Sequence, residues 1–302
     1  MRNQLLSILL SCVMIAAVLS GCSSSHTHQM PDNWDADLTH HWKDCTDCGE
    51  TAENAEHTPD EDNKCTVCGA RIVDLGDSKS LYLYNDNGDM LKTADYDIDG
   101  NVITETTYQY EYDSNGLLTG SATTTDGVLV EEYTYTAIDG ESVISQYISY
   151  KDDGSKFTND YDEYGNVVLL VSYDAEGNVD YRSESEYALS SDGEWYEIKC
   201  TSTEQDGSVT VSTFSEDDQI GLVLYDNEGN IVYTYVWEYT YDNDGNRQTM
   251  KFYCDDVLKE ETIYKTVTTE DGSMTYPETV TEYHEDGTQT VTTYDENGEV
   301  IS

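Results

Sequence analysis

The stretch "YDEYGNVVLLVSYDAEGNVDYRSE", from Tyr161 to Glu184, carries one phrase twice: Tyr, Asp, two mostly polar residues, Gly. The closing glycine suits the φ > 0 position of a hairpin loop. The Asp can accept backbone N–H groups across the turn. Tyr begins or ends a strand and can pack on the Tyr of a neighbouring strand. Between Gly165 and Gly177 there is room for a single short strand.

The same phrase recurs at Tyr84, Tyr96, Tyr112, Tyr225, Tyr241 and Tyr294, with looser copies at Tyr150 and Tyr283. Degenerate copies keep only the end of it, at Gly127, Gly140, Gly193, Gly207 and Gly272. The glycines mostly lie 11 to 16 residues apart. Segments between them alternate with period two. Ile231, Tyr233, Tyr235, Trp237, Tyr239 and Tyr241 share one face, and Val232, Thr234, Val236, Glu238 and Thr240 the other. Alternation bounded by Asp/Asn-Gly turns signals hairpins. The expected fold is all-β: an antiparallel meander or repeat sheet of roughly fifteen short strands, each hairpin stabilised mainly by the next.

One copy imitates a calcium loop. Asp95, Asp97, Asp99 and Gly100 read D-x-D-x-D-G, but position 12, which should be a bidentate Glu, is Thr106. The other copies share only Tyr, Asp or Asn, and Gly, so the motif is a turn.

The repeats over about 220 residues resemble the YD repeats of RHS and teneurin-type proteins, or the MORN-like meander of other bacterial lipoproteins. RHS proteins wind such repeats into a shell around a toxin, and 302 residues are too few for that shell. The resemblance implies a repeat class and leaves function open.

Composition narrows the partners. The chain carries 62 acidic against 14 basic residues, a formal charge of -48. That charge repels nucleic acid and anionic membrane surfaces. Leu, Ile and Phe are sparse while Tyr numbers 26, so a thin, tyrosine-rich core is expected.

The first residues are an address. Arg2 precedes an apolar run from Leu5 to Leu19, as in a secretory signal peptide. The ending Leu19-Ser20-Gly21-Cys22 resembles the lipobox of bacterial lipoproteins. The resemblance implies a signal peptide over 1–21, lipidation of Cys22 and a flexible tether over 22–40. It places the protein on the extracytoplasmic face of a bacterial cell membrane, held by the lipid anchor.

Residues 41–72 contain two matching knuckles, "CTDCG" with Cys45 and Cys48, and "CTVCG" with Cys65 and Cys68. Thiolates two residues apart can grip one tetrahedral ion, and two such pairs supply four ligands. So small a segment cannot build its own core, and a metal would supply folding energy. The segment looks like a short zinc ribbon, with structural zinc expected. Iron uses the same knuckles, and two disulfides are the metal-free alternative. His41 and His57 are alternates that could replace two of the cysteines or serve a second, weaker ion.

The repeat region, 78–302, offers no catalytic set: it holds one histidine, His284, and two cysteines, Cys200 and Cys254. Those cysteines either pair or stay as lone thiols. The strongest binding surface is the row Tyr233, Tyr235, Trp237 and Tyr239, whose rings could stack on a glycan or a protein partner, or could instead be core. The expected function is therefore non-enzymatic: binding, adhesion or envelope scaffolding by a lipid-anchored β-repeat arm. The alternatives are an immunity-type partner of a secreted toxin and a hydrolase using scattered carboxylates.

Overall fold

A computed structural model describes residues 27–216, 218–269 and 272–302. The expected signal peptide, Cys22 and the first part of the expected tether lie outside the described residues. The rest of that expected tether is not loose, since it carries the short strand Asp35–Ala36, with Ala36 buried, and the start of the strand His40–Asp44. A small antiparallel sheet comes first: β1 (Asp35–Ala36), β2 (His40–Asp44) and β3 (Thr51–Glu56).

The other 18 strands form one antiparallel meander whose order in the sheet follows the sequence. It opens with β4 (Arg71–Asp74), β5 (Ser78–Tyr84), β6 (Met90–Asp97), β7 (Val102–Tyr112), β8 (Leu118–Thr125) and β9 (Val128–Ile138). It continues through β10 (Glu141–Tyr150), β11 (Lys156–Tyr161), β12 (Val167–Tyr173), β13 (Val179–Leu189), β14 (Trp195–Glu204) and β15 (Val209–Phe214). It ends with β16 (Gln219–Tyr225), β17 (Ile231–Tyr241), β18 (Arg247–Cys254), β19 (Val257–Thr269), β20 (Gly272–Tyr283) and β21 (Gln289–Thr293). All the described regular structure is strand, as the alternation predicts.

The repeated phrase is the turn. At Asp226 the backbone N–H donates to the Asn230 carbonyl at 2.9 Å, and the Gly229 N–H donates back to the Asp226 carbonyl at 3.0 Å. The Asp226 carboxylate accepts from the N–H groups of Glu228 (2.9 Å) and Asn230 (2.8 Å) and from the Asn230 side-chain amide (3.0 Å). Gly229 sits at φ +83°, which favours a residue without Cβ. The same clasp joins Asp97 to Asn101, Asp162 to Asn166, Asp174 to Asn178 and Asp242 to Asn246.

Each of these turns ends in a bulge at its Tyr. The register slips by one residue beside Tyr84, Tyr96, Tyr161, Tyr173, Tyr225 and Tyr241. The bulge absorbs the odd residue and increases local twist. A second class is the two-residue turn with both central residues at positive φ: Asp126-Gly127, Asp139-Gly140 and Asp255-Asp256. Strands beyond the fifteen expected come from turns lacking the phrase, at Gly76, at Ser215–Asp218 and at Asp255-Asp256.

The calcium-like motif is turn and strand end. Asp95 lies in β6 and accepts a 2.6 Å hydrogen bond from Ser80, while Asp97 closes the turn.

The described residues divide into two compact units, one of residues 27–109 and 124–128, the other of 110–123 and 129–302. They are built differently. The first has an interior of Ala36, Cys65, Cys68, Ala70, Leu81, Leu83, Ala94 and Tyr96, flanked by Trp34, Leu38, Ile72 and Leu91. Lys92 is also buried there, with its ammonium 3.2 Å from Asp35 and 2.8 Å from Glu105.

In the second unit, among the described residues, only Val171 and Thr262 are buried. Substantial contact there joins only strands adjacent in sequence. Strands such as β11 and β15 are half-buried at every position, with no burial alternation. Side chains on both faces of these strands are half-buried. The expected tyrosine-rich core takes a looser form there: the tyrosines of this unit are half-buried or exposed, and Tyr96 of the first unit is the only fully buried tyrosine among the described residues. Backbone ladders and cross-strand pairs hold the sheet together, each side-chain pair contributing about 0.2–1 kcal/mol. Thr240–Thr249 at 2.7 Å and Thr266–Thr275 at 2.9 Å are two such pairs.

Candidate metal centre

The two knuckles have one local geometry. The N–H of Cys65 donates to the Ala70 carbonyl (2.7 Å), and the N–H of Gly69 donates to the Cys65 carbonyl (2.9 Å). Cys45 repeats this with Glu50 (2.9 Å) and Gly49 (2.7 Å). Gly49 and Gly69 sit at φ +71° and +74°, the positive-φ position that the C-x-x-C-G pattern requires. In each knuckle the Thr after the first Cys is tied to the carbonyl that follows a histidine. Thr46 N–H donates to Gln29, after His28 (2.9 Å), and Thr66 N–H to Thr58, after His57 (3.0 Å).

That tie brings one histidine to each knuckle. His57 Nδ1 lies 3.6 Å from Cys68 Sγ, and His28 Nδ1 lies 3.6 Å from Cys48 Sγ. The β2–β3 pairing adds a further ligand at the second knuckle. His41 is 2% exposed on β2, with Nδ1 3.8 Å from Cys65 Sγ. The cysteines thus fall into two groups. His41, His57, Cys65 and Cys68 converge with their four ligand atoms within 4.8 Å of one another, and His28, Cys45 and Cys48 do the same as a set of three. The single site of Cys45, Cys48, Cys65 and Cys68 expected from the spacing is not brought together: the alternates His41 and His57 lie with Cys65 and Cys68, while Cys45 and Cys48 lie with His28, a ligand-type residue that spacing did not single out. Its signal was the repeated C-T-x-C-G, whose Thr needs a partner carbonyl. Among the described residues no two cysteines form a disulfide; Cys200 on β14 hydrogen-bonds Ser183 at 3.1 Å, and Cys254 is on β18.

The four-residue group fits a tetrahedral ion. Legs of 2.0–2.3 Å to nitrogen and sulfur span edges of about 3.3–3.8 Å, and the observed 3.6 and 3.8 Å contacts match these. His57 Nε2 faces the Asp37 carbonyl at 2.8 Å, which fixes the tautomer with Nδ1 free to ligate. The two thiols are shifted in opposite directions. Burial raises Cys65, but N–H groups of Cys68, Thr58 and Val67 and the His57 ring outweigh it and bring the thiol down to about 5. Burial, reinforced by the neighbouring Cys65 thiolate, pushes Cys68 up to about 12. Cys65 and Cys68 belong to the interior of the first unit, so an ion there would tie the small sheet to β5 and β6.

The aromatic row lies in the second unit. Tyr233 and Tyr235 stack with centroids 5.6 Å apart, and Trp237 stacks on its cross-strand partner Phe252 at 5.3 Å. Tyr239 instead lies under the Arg247 guanidinium, 4.7 Å away, which also pairs with Asp218. Tyr233 is 38% exposed.

No family model matches the chain, and no curated protein matches it. Several solved structures are similar to it at low sequence identity. A porin-like protein from Bacteroides uniformis is 14% identical over 62% of this chain and 91% of its own, with a TM-score of 0.19. The Tc holotoxin pore of Photorhabdus luminescens is 14% identical over 87% of this chain, TM-score 0.29. A TcdB2-TccC3 structure is 10% identical over 90% of this chain, TM-score 0.18. The chain spans only 15% and 20% of those two proteins.

Proposed function

We propose that this is a non-enzymatic surface protein. It is anchored by lipid at Cys22 to the extracytoplasmic face of a bacterial membrane, and its β-repeat sheet binds a glycan or a protein. One observation carries the reading: the rings of Tyr233, Tyr235, Trp237 and Phe252 pack against one another in a row of which Tyr233 is exposed and the other three are half-buried. Rings with an apolar face and a polar tip suit sugar or protein contact. The repeated aspartates support a structural role. As acceptors of turn N–H groups they are held below the usual carboxylate range, the opposite of what a general acid needs.

Zinc, the ion best suited to two imidazoles and two thiolates, is held at His41, His57, Cys65 and Cys68 as a closed structural site. It leaves no position for substrate.

The test is a glycan array and a pull-down with the full chain beside Tyr235→Ala and Trp237→Ala. Saturable retention lost in both variants, with unchanged strand content, is expected. Retention equal in all three would remove the row from the binding surface. Acyl labelling absent in Cys22→Ala is the expected result for the anchor.

A further inference from the structure

In the second unit one set of side chains converges beside a cleft. Arg247 opens β18, and its guanidinium lies 4.7 Å from the ring of Tyr239 and 5.5 Å from that of Tyr264. It donates to the Asp218 carboxylate, to which the Tyr241 hydroxyl also donates. Asp218 comes from the turn before β16, and its side chain is 7% exposed against 32% for that of Arg247. Side chains of three hairpins thus meet at one ion pair. Next to it lies a cleft of about 330 Å³, lined by Tyr241, Gly245, Arg247, Tyr264 and Thr275.

The hairpin does not need an arginine there. Five turns carry the Asp–Asn clasp, and in four of them the residue after the Asn is a β-branched aliphatic: Val102, Val167, Val179 and Ile231. Only after Asn246 is it a cation. Aromatic walls with a few fixed polar groups are the usual make-up of a small-ligand site. The Arg247 fork donates, the Asp218 carboxylate accepts, and a sugar's neighbouring hydroxyls do both. The rings of Tyr241 and Tyr264 offer apolar faces to the C–H face of a sugar ring. Asp218 balances the arginine's charge, and a chain of formal charge -48 repels a polyanion. Tyr239 belongs to the aromatic row, so cleft and row adjoin.

We propose that this cleft is a subsite for an uncharged glycan, with the Arg247–Asp218 pair holding two vicinal hydroxyls against the tyrosine walls. The proposal rests on the binding role given above to the neighbouring row, and it names sugar, not protein, as the ligand.

The experiment applies the full chain to an array of neutral and acidic glycans, before and after mild periodate, which cleaves vicinal diols. Retention of neutral glycans, lost after periodate, is expected. Arg247→Lys keeps the charge but not the planar fork and should weaken retention roughly ten-fold. Thr275→Val, on the exposed wall, leaves the ion pair intact and should weaken it as well. Circular dichroism checks strand content; if Arg247→Lys lowers it, Thr275→Val and the periodate arm decide. Retention lost in Tyr235→Ala and Trp237→Ala but equal to the parent in Arg247→Lys and Thr275→Val would overturn the cleft and leave the row as the binding surface. Retention of acidic glycans alone, or of a protein and no glycan, would overturn the uncharged-glycan assignment. Retention of nothing would overturn the subsite and the binding role of the row together.

Discussion

His57 Nδ1 stands 3.6 Å from Cys68 Sγ while its Nε2 is fixed by the Asp37 carbonyl, so one ring links the β1–β2 turn to the second knuckle. An ion held at this point would take the place of the core that so small a module cannot build from its few apolar residues.

Metal removal should therefore act locally. Chelation of the reduced full chain is expected to abolish hydrogen-exchange protection across β2, β3 and the Cys65 knuckle. Protection in β11 to β16 should persist, because a meander is stabilised by nearest neighbours. His57→Ala should reproduce the effect. Unchanged exchange at β2 and β3 after verified metal loss would show that the ion does not organise the module.

The turns offer a second test. Asp162 accepts the Tyr164 and Asn166 N–H groups at 2.9 Å each, and Gly165 sits at φ +87°. Asp162→Ala removes both acceptors and should cost about 1 kcal/mol, the typical value for a lost cap. Gly165→Ala should cost about 1 kcal/mol through left-handed backbone strain. The two share one turn, so the double variant should lose less than the sum. Denaturant midpoints measure all three, and full additivity would mean that the turn is not a unit.

These turns were the most legible part of the fold, because each is closed within a few residues of its own phrase. Tyr161, Asp162 and Gly165 announce strand, acceptor and left-handed position in order. The Asn clasp at Asn166 was equally local, though easy to overlook. The half-buried character of both faces was not legible. Alternation at Tyr233, Tyr235 and Trp237 says that two faces differ, but not whether either is covered. The grouping of ligands was half legible. Cys65 and Cys68 are local, whereas His41 and His57 meet through the pairing of β2 with β3, at which His40 opposes Glu56.

Lys92 is the third test. The residue is 8% exposed, and its ammonium lies between Asp35 and Glu105. Burial lowers its pKa, but the two carboxylates outweigh burial and raise it. A raised folded value means that its stabilisation is complete below the unfolded pKa and is lost as pH rises through the folded one, in the alkaline range. Lys92→Met keeps the stem but leaves two carboxylates facing each other. The expected loss is about 1–2 kcal/mol, below the usual figure for a fully buried pair because both acids are partly solvated. Adding Asp35→Asn and Glu105→Gln should recover much of it. A Met variant as stable as the parent at neutral pH would contradict the pairing.

Acid should reveal two opposed effects. A formal charge of -48 repels itself at pH 7, and protonating glutamates relieves that repulsion, so stability should hold or rise as pH falls toward about 5. The turn aspartates work the other way. Asp97, Asp174, Asp226 and Asp242 are lowered from the ordinary 3.8, first by the Asn side-chain amide and then by its N–H. Their contribution is complete above that unfolded value and is lost as pH falls through the lower folded one, because there the unfolded chain binds more protons. The expected profile of Tm against pH is a broad maximum in mild acid followed by a steep fall below about pH 4. Asp226→Asn keeps an acceptor that does not titrate, so its acid limb should be shallower than the parent's. Raised salt at pH 7 should lift the parent's Tm by screening the repulsion, with little effect at the maximum. A profile that declines steadily from pH 7 downward, indifferent to salt, would mean that charge repulsion is not what limits this sheet at neutral pH.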